Sequence, residues 1–290
     1  MSWRTVVITR QCKLDYKMGY LVVRGKDVKR IFLDEVAILV IENPAIAMTG
    51  CLIEELINHK IKVVFCDSKR SPTAELVPYH GSHDSSLKIR TQAKWQDDIK
   101  GAVWSEIVTD KIRKQTEFLR ELGKESEQEL LSSYIRQVEL LDETNREGHA
   151  AKVYFNALFG MKFTRGADIP INAALNYGYS IILSMFNREI ANMGYLTQLG
   201  IFHSNMFNHF NLSCDLMEPF RILVDRYVYD AMPTEFTKEM KWELWNILND
   251  TIVIDKAKQT VLNAAKIYTR SVFEAINDND VSKILFFSMR

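Results

Sequence analysis

A histidine and two carboxylates stand out in one stretch of the sequence, GIFHSNMFNHFNLSCDLMEPFR at 200–221. His203, Asp215 and Glu218 are each flanked by large apolar residues, so we expect their side chains to be shielded from solvent. Asp215 and Glu218 would share one face of a helix, and if Pro219 instead opens a new helix, a turn would hold them almost as close. Carboxylate oxygens prefer hard cations and an imidazole nitrogen favours Mn²⁺, so the stretch is compatible with a Mg²⁺ or Mn²⁺ site.

The same side chains have ordinary structural roles, and the stretch alone leaves these open. A histidine among apolar residues is commonly a core residue with a satisfied hydrogen bond. Asp215 has the chemistry of a helix cap. Only the combination of the three residues favours a metal site.

A third acid, Glu147, lies beside Gly148 at the predicted start of a helix, in REGHAAKVYFNALFG at 146–160. It is either a charge that matches the positive end of that helix or a ligand turned into the core. Arg165, in KFTRGADIP, and Arg221, just after Glu218, are candidate phosphate ligands, although surface salt bridges are the commoner role of such arginines.

These residues belong to a long helical region that must hold them in place. Apolar residues recur at helical spacing from residue 87 almost to the end, and proline is absent between Val103 and Asp168. We therefore predict an all-α C-terminal domain over 87–290. Trp104, Trp242 and Trp245 lie on its apolar stripes, and we expect them in its core.

The first 67 residues have a different character. Four short segments rich in Val and Ile read as strands, and one segment around Leu52 and Leu56 has helical spacing; the four segments are TVVITR, YLVVRG, AILVI and KVVFCD. We predict a β-rich domain over 1–67, made of antiparallel sheets with one helix. Residues 68–86, with two prolines and several serines, predict a linker or an exposed hairpin. The fold class is thus α+β.

Composition excludes several classes of protein. No apolar run approaches the ~20 residues needed to cross a bilayer, and MSWRTVVITR lacks the pattern of a secretory signal, so we expect a cytoplasmic protein without a membrane partner. The four cysteines form no CxxC, which argues against a zinc site or disulfide framework, and we expect buried thiols. The net charge is zero, yet residues 1–30 hold eight Lys or Arg against two Asp, an excess of 8 − 2 = +6, so one face of the protein can still be basic.

Four motifs in the same order resemble one known family, the integrase and endonuclease subunit of CRISPR adaptation. The resemblance covers most of the chain. The motifs are Glu147-Gly148-His149-Ala150-Ala151, the segment 172–179 (NAALNYGY), Gly200-Ile201-Phe202-His203, and the segment 215–221 (DLMEPFR) followed by Asp225. The sequences of the segments FGMKFTRG, INAALNYGY and DLMEPFR are most similar to the type II branch of the family.

This resemblance implies a function and a set of roles. Glu147, His203 and Glu218 would be catalytic residues that bind Mg²⁺ or Mn²⁺, Asp215 a supporting acid, and Arg165 and Arg221 DNA-binding residues. Many relatives carry Asp where this chain has Glu218, one methylene longer. The metal would assist attack of a spacer 3′-hydroxyl on a phosphodiester of the CRISPR repeat, and the same site could cut DNA with water.

The implied partners follow from the same family. They are double-stranded DNA of the protospacer and repeat, a second copy of the chain, and the small second CRISPR adaptation protein that bridges two such dimers. The type II effector nuclease and a ring-shaped accessory adaptation protein are further candidates. The basic segment 1–30 would contribute to a phosphate-binding surface.

Two other functions remain open at this point. A non-catalytic DNA-binding scaffold of the same complex would keep the fold and position DNA, and its binding would not depend on Glu147 or Glu218. A carboxylate-pair hydrolase that acts on a small substrate, for instance a glycosidase using Asp215 and Glu218, would need no metal.

Overall fold

A computed structural model describes residues 4–68, 70, 72–78 and 82–289. Its N-terminal part contains two four-stranded sheets and one helix. In chain order these elements are β1 (Arg4–Ile8), β2 (Cys12–Lys17), β3 (Tyr20–Arg24), β4 (Val28–Phe32), β5 (Val36–Ile41), β6 (Ile46–Met48), α1 (Gly50–Asn58), β7 (Lys62–Cys66) and β8 (Pro72–Leu76). The strand orders are β1-β5-β7-β8 and β4-β3-β2-β6. The predicted α+β class, with a strand-rich part followed by a larger helical part, is confirmed.

The prediction of antiparallel sheets is wrong, because both sheets are mixed. Strand β5 runs parallel to β1 and to β7, and β2 runs parallel to β6. All six residues of β5 are buried, and a continuous apolar run of this kind is typical of a central parallel strand. Strands β2 and β4 were not predicted, since their sequences, CKLDYK and VKRIF, are charged and partly exposed.

Segment 68–86 contributes a strand to the first sheet. Strand β8 pairs antiparallel with β7, with Val63 opposite Leu76. Residues 72–76 of this segment are therefore part of the first sheet. Residues 69, 71 and 79–81 of this segment lie outside the described residues.

The C-terminal part is mostly helical. Its helices are α2 (Ser85–Gln92), α3 (Asp97–Glu121), α4 (Glu125–Ile135), α5 (Arg146–Phe159), α6 (Pro170–Asn192), α7 (Asn211–Met217), α8 (Arg221–Ala231), α9 (Lys238–Asn246) and α10 (Val261–Asn277). Between α9 and α10, a hairpin of β9 (Thr251–Ile254) and β10 (Ala257–Thr260) corrects the all-α prediction. Asp255 and Lys256 at its turn have φ of 49° and 60°, which is the geometry that a two-residue hairpin turn requires.

Helix α3 lies in the middle of the helical core. It contacts α4, α5, α8 and α10, and its buried face includes charged residues as well as apolar ones. Trp104 and Trp245 are buried as predicted, whereas Trp242 is 56% exposed. The expectation of buried thiols holds for Cys66 and is wrong for Cys51, which is exposed. None of the helices in the described part of the chain is long and apolar enough to span a membrane.

Candidate active site

Glu147 lies in the first turn of α5, where two neighbouring side chains fix the start of the helix. The Asp142 carboxylate accepts hydrogen bonds from the backbone N–H of Arg146 at 2.8 Å and of Glu147 at 2.9 Å. Asn145 accepts from the N–H of Gly148 at 3.2 Å, and a Cβ at position 148 would lie 2.6 Å from the Asn145 Oδ1. The absence of a side chain at Gly148 leaves space for the Asn145 cap, and this cap fixes the position of Glu147 at the start of α5.

Glu218 lies in a short 3-10 turn, Glu218–Phe220, between α7 and α8. Pro219 stands at the start of this turn, so the arrangement is the turn that we considered as the alternative to one continuous helix. The Glu218 side chain is 3% exposed, and its Oε1 is 2.8 Å from Arg221 Nη2. Burial favours the neutral acid, but Arg221 and Lys111 together hold the pKa of Glu218 below its usual value.

Lys111 of α3 connects the two acids. Its Nζ donates to Glu147 Oε1 and to Glu218 Oε2, the second at 2.5 Å. Burial alone would lower the pKa of this ammonium, yet the charges of Glu218 and Glu147 raise it overall. Two carboxylates from separate elements thus converge on a single cation.

His203 and Asp215 form the second half of the site. Asp215 is completely buried, and its oxygens accept from the backbone N–H of Ile201 at 2.6 Å and of Phe202 and His203 at 3.1 Å. The His203 Nδ1 lies 2.5 Å from Asp215 Oδ1; since an ionised carboxylate only accepts, Nδ1 is the donor, and in the neutral ring Nε2 keeps its lone pair. Gly200 begins this turn, because a Cβ there would lie 2.2 Å from the His203 carbonyl oxygen.

The His203 ring also packs against α3. It meets Trp104 edge-on at 5.7 Å between ring centroids, while Phe202 stacks on Trp104 at 4.5 Å. The hydrogen bond that His203 donates to Asp215 raises the pKa of His203, burial opposes this, and the charges of Asp215, Glu218 and Glu147 add to the increase. The imidazole therefore lies within electrostatic range of both acids.

We tested whether these residues fit a divalent ion. Among the described residues, no three His, Cys, Asp or Glu side chains stand close enough together to form a ready-made metal site. Glu147 and Glu218 nevertheless meet at a point that a cation can occupy, because the Lys111 ammonium occupies it. Two carboxylates with a neutral imidazole nearby match the donors of Mg²⁺ and Mn²⁺. The chemistry of these donors therefore fits such an ion at the place where Lys111 contacts both acids.

A small crevice beside the acids has a basic wall. It is lined by three basic residues and two acids, together with Gln115, Tyr179 and apolar residues; the charged ones are Lys111, Arg165, Arg221, Glu218 and Asp225. The guanidinium of Arg165 lies 5.3 Å from the Tyr179 ring centroid and that of Arg221 lies 4.8 Å from it. Both sequence-predicted arginines thus flank one aromatic ring at the entrance to the acid pair.

The motif at 172–179 holds this wall in place. Asn172 and Asn176 each accept a hydrogen bond of 2.7 Å from the Arg165 guanidinium. The Tyr179 hydroxyl donates to Asp225, a fully buried acid whose pKa burial raises to about 6. The sequence analysis quoted this motif without assigning it a role.

Lys111 was not predicted as a site residue, and Tyr179 was known only as part of the motif at 172–179. The signal for Lys111 was present, because DKIRKQ at 110–115 places charged residues on the buried stripe of a long helix, and buried charges require partners. The site as a whole brings together Glu147 and Glu218 at one cation and His203 with Asp215 beside them. It can bind a cation between acids, hold a phosphate on its arginines and present one imidazole nitrogen.

Comparison with known proteins gives consistent matches over nearly the whole chain. Residues 5–266 match the family model described as CRISPR associated protein Cas1. The chain is 30% identical over 290 residues to the CRISPR-associated endonuclease Cas1 of Neisseria meningitidis serogroup C (strain 8013), covering 98% of this chain and 95% of the relative.

Solved structures share the fold. A casposase bound to integration product superposes with a TM-score of 0.77 at 16% identity, over 98% of this chain and 94% of the other. A Cas6-RT-Cas1–Cas2 complex superposes with a TM-score of 0.74 at 17% identity, over 97% of this chain and 36% of that longer chain. At such identities the likeness establishes the architecture.

Proposed function

The chain belongs to the Cas1 family of CRISPR-associated proteins, and we propose that it is a divalent-metal-dependent DNA integrase and endonuclease that inserts spacers into the CRISPR array. One observation carries the chemical part of this proposal. Glu147 and Glu218 come from different helical elements, and both contact the single buried cation of Lys111 beside a crevice with an arginine wall.

Glu147, Glu218 and the Nε2 atom of His203 are the groups that would hold Mg²⁺ or Mn²⁺. When bound, such an ion polarises a phosphodiester and stabilises the charge that develops on its oxygens. Asp215 has a supporting role, because its hydrogen bonds to the 201–203 backbone and to Nδ1 fix the imidazole with Nε2 unprotonated.

Arg165 and Arg221 would bind phosphate oxygens of the DNA in the crevice. Their fixed guanidinium planes suit phosphate geometry, and Asn172 and Asn176 already orient Arg165. In strand transfer, the 3′-hydroxyl of the spacer gives up its proton as its oxygen forms a bond to a repeat phosphorus. The bond from that phosphorus to its previous strand oxygen breaks, and the released oxygen takes up a proton, so no net proton is consumed. One phosphodiester replaces another, so the reaction needs no external energy source. With water in place of the spacer hydroxyl, the result is cleavage.

The partners in this proposal are DNA, a second copy of the chain and the small second adaptation protein. Support for the last comes from the similar fold found in a complex that contains Cas2. For a second copy, strand β4 offers a surface, because among the described residues it is one of the two edge strands of its sheet and carries Val28, 58% exposed, and Phe32, 38% exposed. Exposed apolar edge strands are ready templates for pairing with another chain.

Strand transfer of a labelled short duplex into a plasmid carrying a repeat tests the proposal. The assay contains the small partner and Mn²⁺ or Mg²⁺, and compares wild type with Glu218→Gln and with the control Glu129→Gln, which changes an exposed acid on α4. We expect Glu218→Gln to bind DNA and to lose joining by at least about 100-fold, as expected for loss of a charge that acts in the transition state. Equal joining by both variants would rule out Glu218 as a site residue.

A non-catalytic scaffold is the second candidate. It is favoured by the absence of a preformed group of three ligands among the described residues and by the neutralisation of Glu147 and Glu218 by Lys111. The scaffold predicts normal DNA binding with no joining by wild type, and no change on substitution of Glu218. The third possibility, a carboxylate-pair hydrolase, lacks support, because both Asp215 oxygens face the 201–203 turn and the side chain has no exposed surface.

A further inference from the structure

Lys111 neutralises the acid pair before any metal is present. Its side chain is 10% exposed and its only charged contacts below 4 Å among the described residues are Glu147 and Glu218. Arg221 also contacts Glu218. Two negative charges are thus balanced by two positive ones inside the protein.

A divalent ion and the ammonium cannot both occupy the space between these carboxylates. Like charges a few ångström apart repel strongly in a partly buried site, where solvent screens them poorly. Binding of the ion between the acids therefore requires the ammonium to move away. Lys111 also lines the crevice that Arg165 and Arg221 border, so this crevice is the open space available to it.

We propose that Lys111 is a resident cation that holds Glu147 and Glu218 together in the metal-free protein and moves toward the DNA crevice when a divalent ion binds. This inference rests on the proposed function. Lys111 already lines this crevice, but its charge is neutralised by Glu147 and Glu218. Once displaced, the ammonium adds its positive charge to those of Arg165 and Arg221, so metal binding strengthens DNA binding, and DNA strengthens metal binding by the same factor.

The first part of the proposal is that Lys111 occupies the place of the ion between Glu147 and Glu218. It is tested by measuring Mn²⁺ binding to the full chain without DNA. Free Mn²⁺ is measured by electron paramagnetic resonance for wild type, Lys111→Met, Lys111→Gln and the control Lys152→Met, which removes an exposed charge from α5. We expect both Lys111 variants to bind Mn²⁺ at least about ten-fold more tightly than wild type, since they lack the competing cation. Equal or weaker binding would overturn the proposal, as would an equal gain in Lys152→Met.

Thermal unfolding keeps the test informative if Lys111→Met folds poorly. Without metal, this variant leaves the buried Glu218 and the partly buried Glu147 with one partner fewer, and we expect its melting temperature to fall by about 5 °C or more. Mn²⁺ should raise the melting temperature of Lys111→Met by more than it raises the melting temperature of wild type. A variant as stable as wild type without metal would contradict the holding role of Lys111.

DNA binding tests the coupling. Fluorescence anisotropy of a short labelled duplex, with and without Mn²⁺, should show that the ion tightens binding to wild type about five-fold or more. The gain should be lost in Lys111→Met and kept in Lys152→Met. A gain that persists in Lys111→Met would overturn the coupling.

Two patterns of Mn²⁺ binding distinguish a failure of the proposed function from a failure of this inference about Lys111. If neither wild type nor the Lys111 variants bind Mn²⁺, and Glu218→Gln changes nothing, the metal site itself is wrong. If all bind Mn²⁺ equally and Glu218→Gln abolishes binding, the site stands and only the role of Lys111 is refuted.

Discussion

Replacing Asp215 with asparagine should loosen the turn that carries His203. The carboxylate accepts four hydrogen bonds, from the backbone N–H groups of Ile201, Phe202 and His203 and from the His203 ring. Two go to Oδ2 and two to Oδ1. An asparagine keeps one acceptor oxygen and presents an NH₂ group to two donors, so two of the four bonds are lost.

The cost follows from the burial of this group. A hydrogen bond to a buried charged group contributes about 1.5–3 kcal/mol, so the loss of two predicts destabilisation by about 3–6 kcal/mol. That is a large share of the ~5–15 kcal/mol by which domains are stable. The pKa of His203 should also fall, because its hydrogen bond with Asp215 is the main cause of the increase.

Two measurements on Asp215→Asn separate global from local effects. Urea unfolding gives the change in the free energy of unfolding. Hydrogen exchange of the 200–203 peptide reports the turn itself, since its amides are protected by Asp215. Strand transfer should fall about 10–100-fold, as is usual when the group that orients a metal-binding histidine is removed.

The control is Asp230→Asn, which makes the same chemical change at an exposed position of α8. It should leave stability, exchange and joining within error of wild type. If Asp215→Asn stays within about 1 kcal/mol of wild type and its 201–203 amides keep their protection, Asp215 does not anchor this turn and its assignment as a supporting residue is wrong.

Three further predictions concern the helices around the crevice. Burial raises the pKa of Asp225 to about 6 from 3.8, so its contribution to stability is full below pH 3.8 and is lost as the pH rises through about 6. In urea unfolding at pH 8, Asp225→Asn should have a free energy of unfolding up to about 3 kcal/mol higher than that of wild type. The difference should shrink at pH 5. Gly178→Ala places a Cβ 2.4 Å from Val224 and should cost about 1–3 kcal/mol in urea unfolding, whereas Gly50→Ala, with open space around it, should cost nothing. Arg165→Gln should weaken duplex binding in anisotropy titrations and reduce the slope of log K against log salt by about 0.9, and an unchanged slope would exclude a phosphate contact.

The sequence predicted the architecture where periodicity decides it. The apolar stripe of α3 and the Val- and Ile-rich strands are local signals, and both were confirmed. Strand direction is not local, because β5 pairs with β1 and β7 across intervening elements. The hairpin of β9 and β10 was missed because TIVI and AKQT are only four residues each and lie between two strongly helical segments.

The pairing of charges inside the site could not be predicted from local sequence patterns, because, like strand direction, it depends on residues that are distant in the sequence. Asp215 and Glu218 are neighbours in the sequence, yet one faces the 201–203 turn and the other faces α3. The helix α7 passes into a 3-10 turn at Glu218, and the spacing of the two acids alone could not show that their side chains have different partners.

Lys111 illustrates what a sequence can still reveal about such pairing. A lysine on a buried helical stripe must have a partner of opposite charge, because an unpaired buried ammonium is too costly to retain. That requirement says that acids will converge on α3, although it does not say which. Glu147 and Glu218 meet the requirement only because the cap at Asn145 and the turn at Pro219 bring two distant helix ends to one nitrogen. The same two acids are the groups proposed to bind the metal, and under that proposal the Lys111 ammonium and the divalent ion would compete for one place between them.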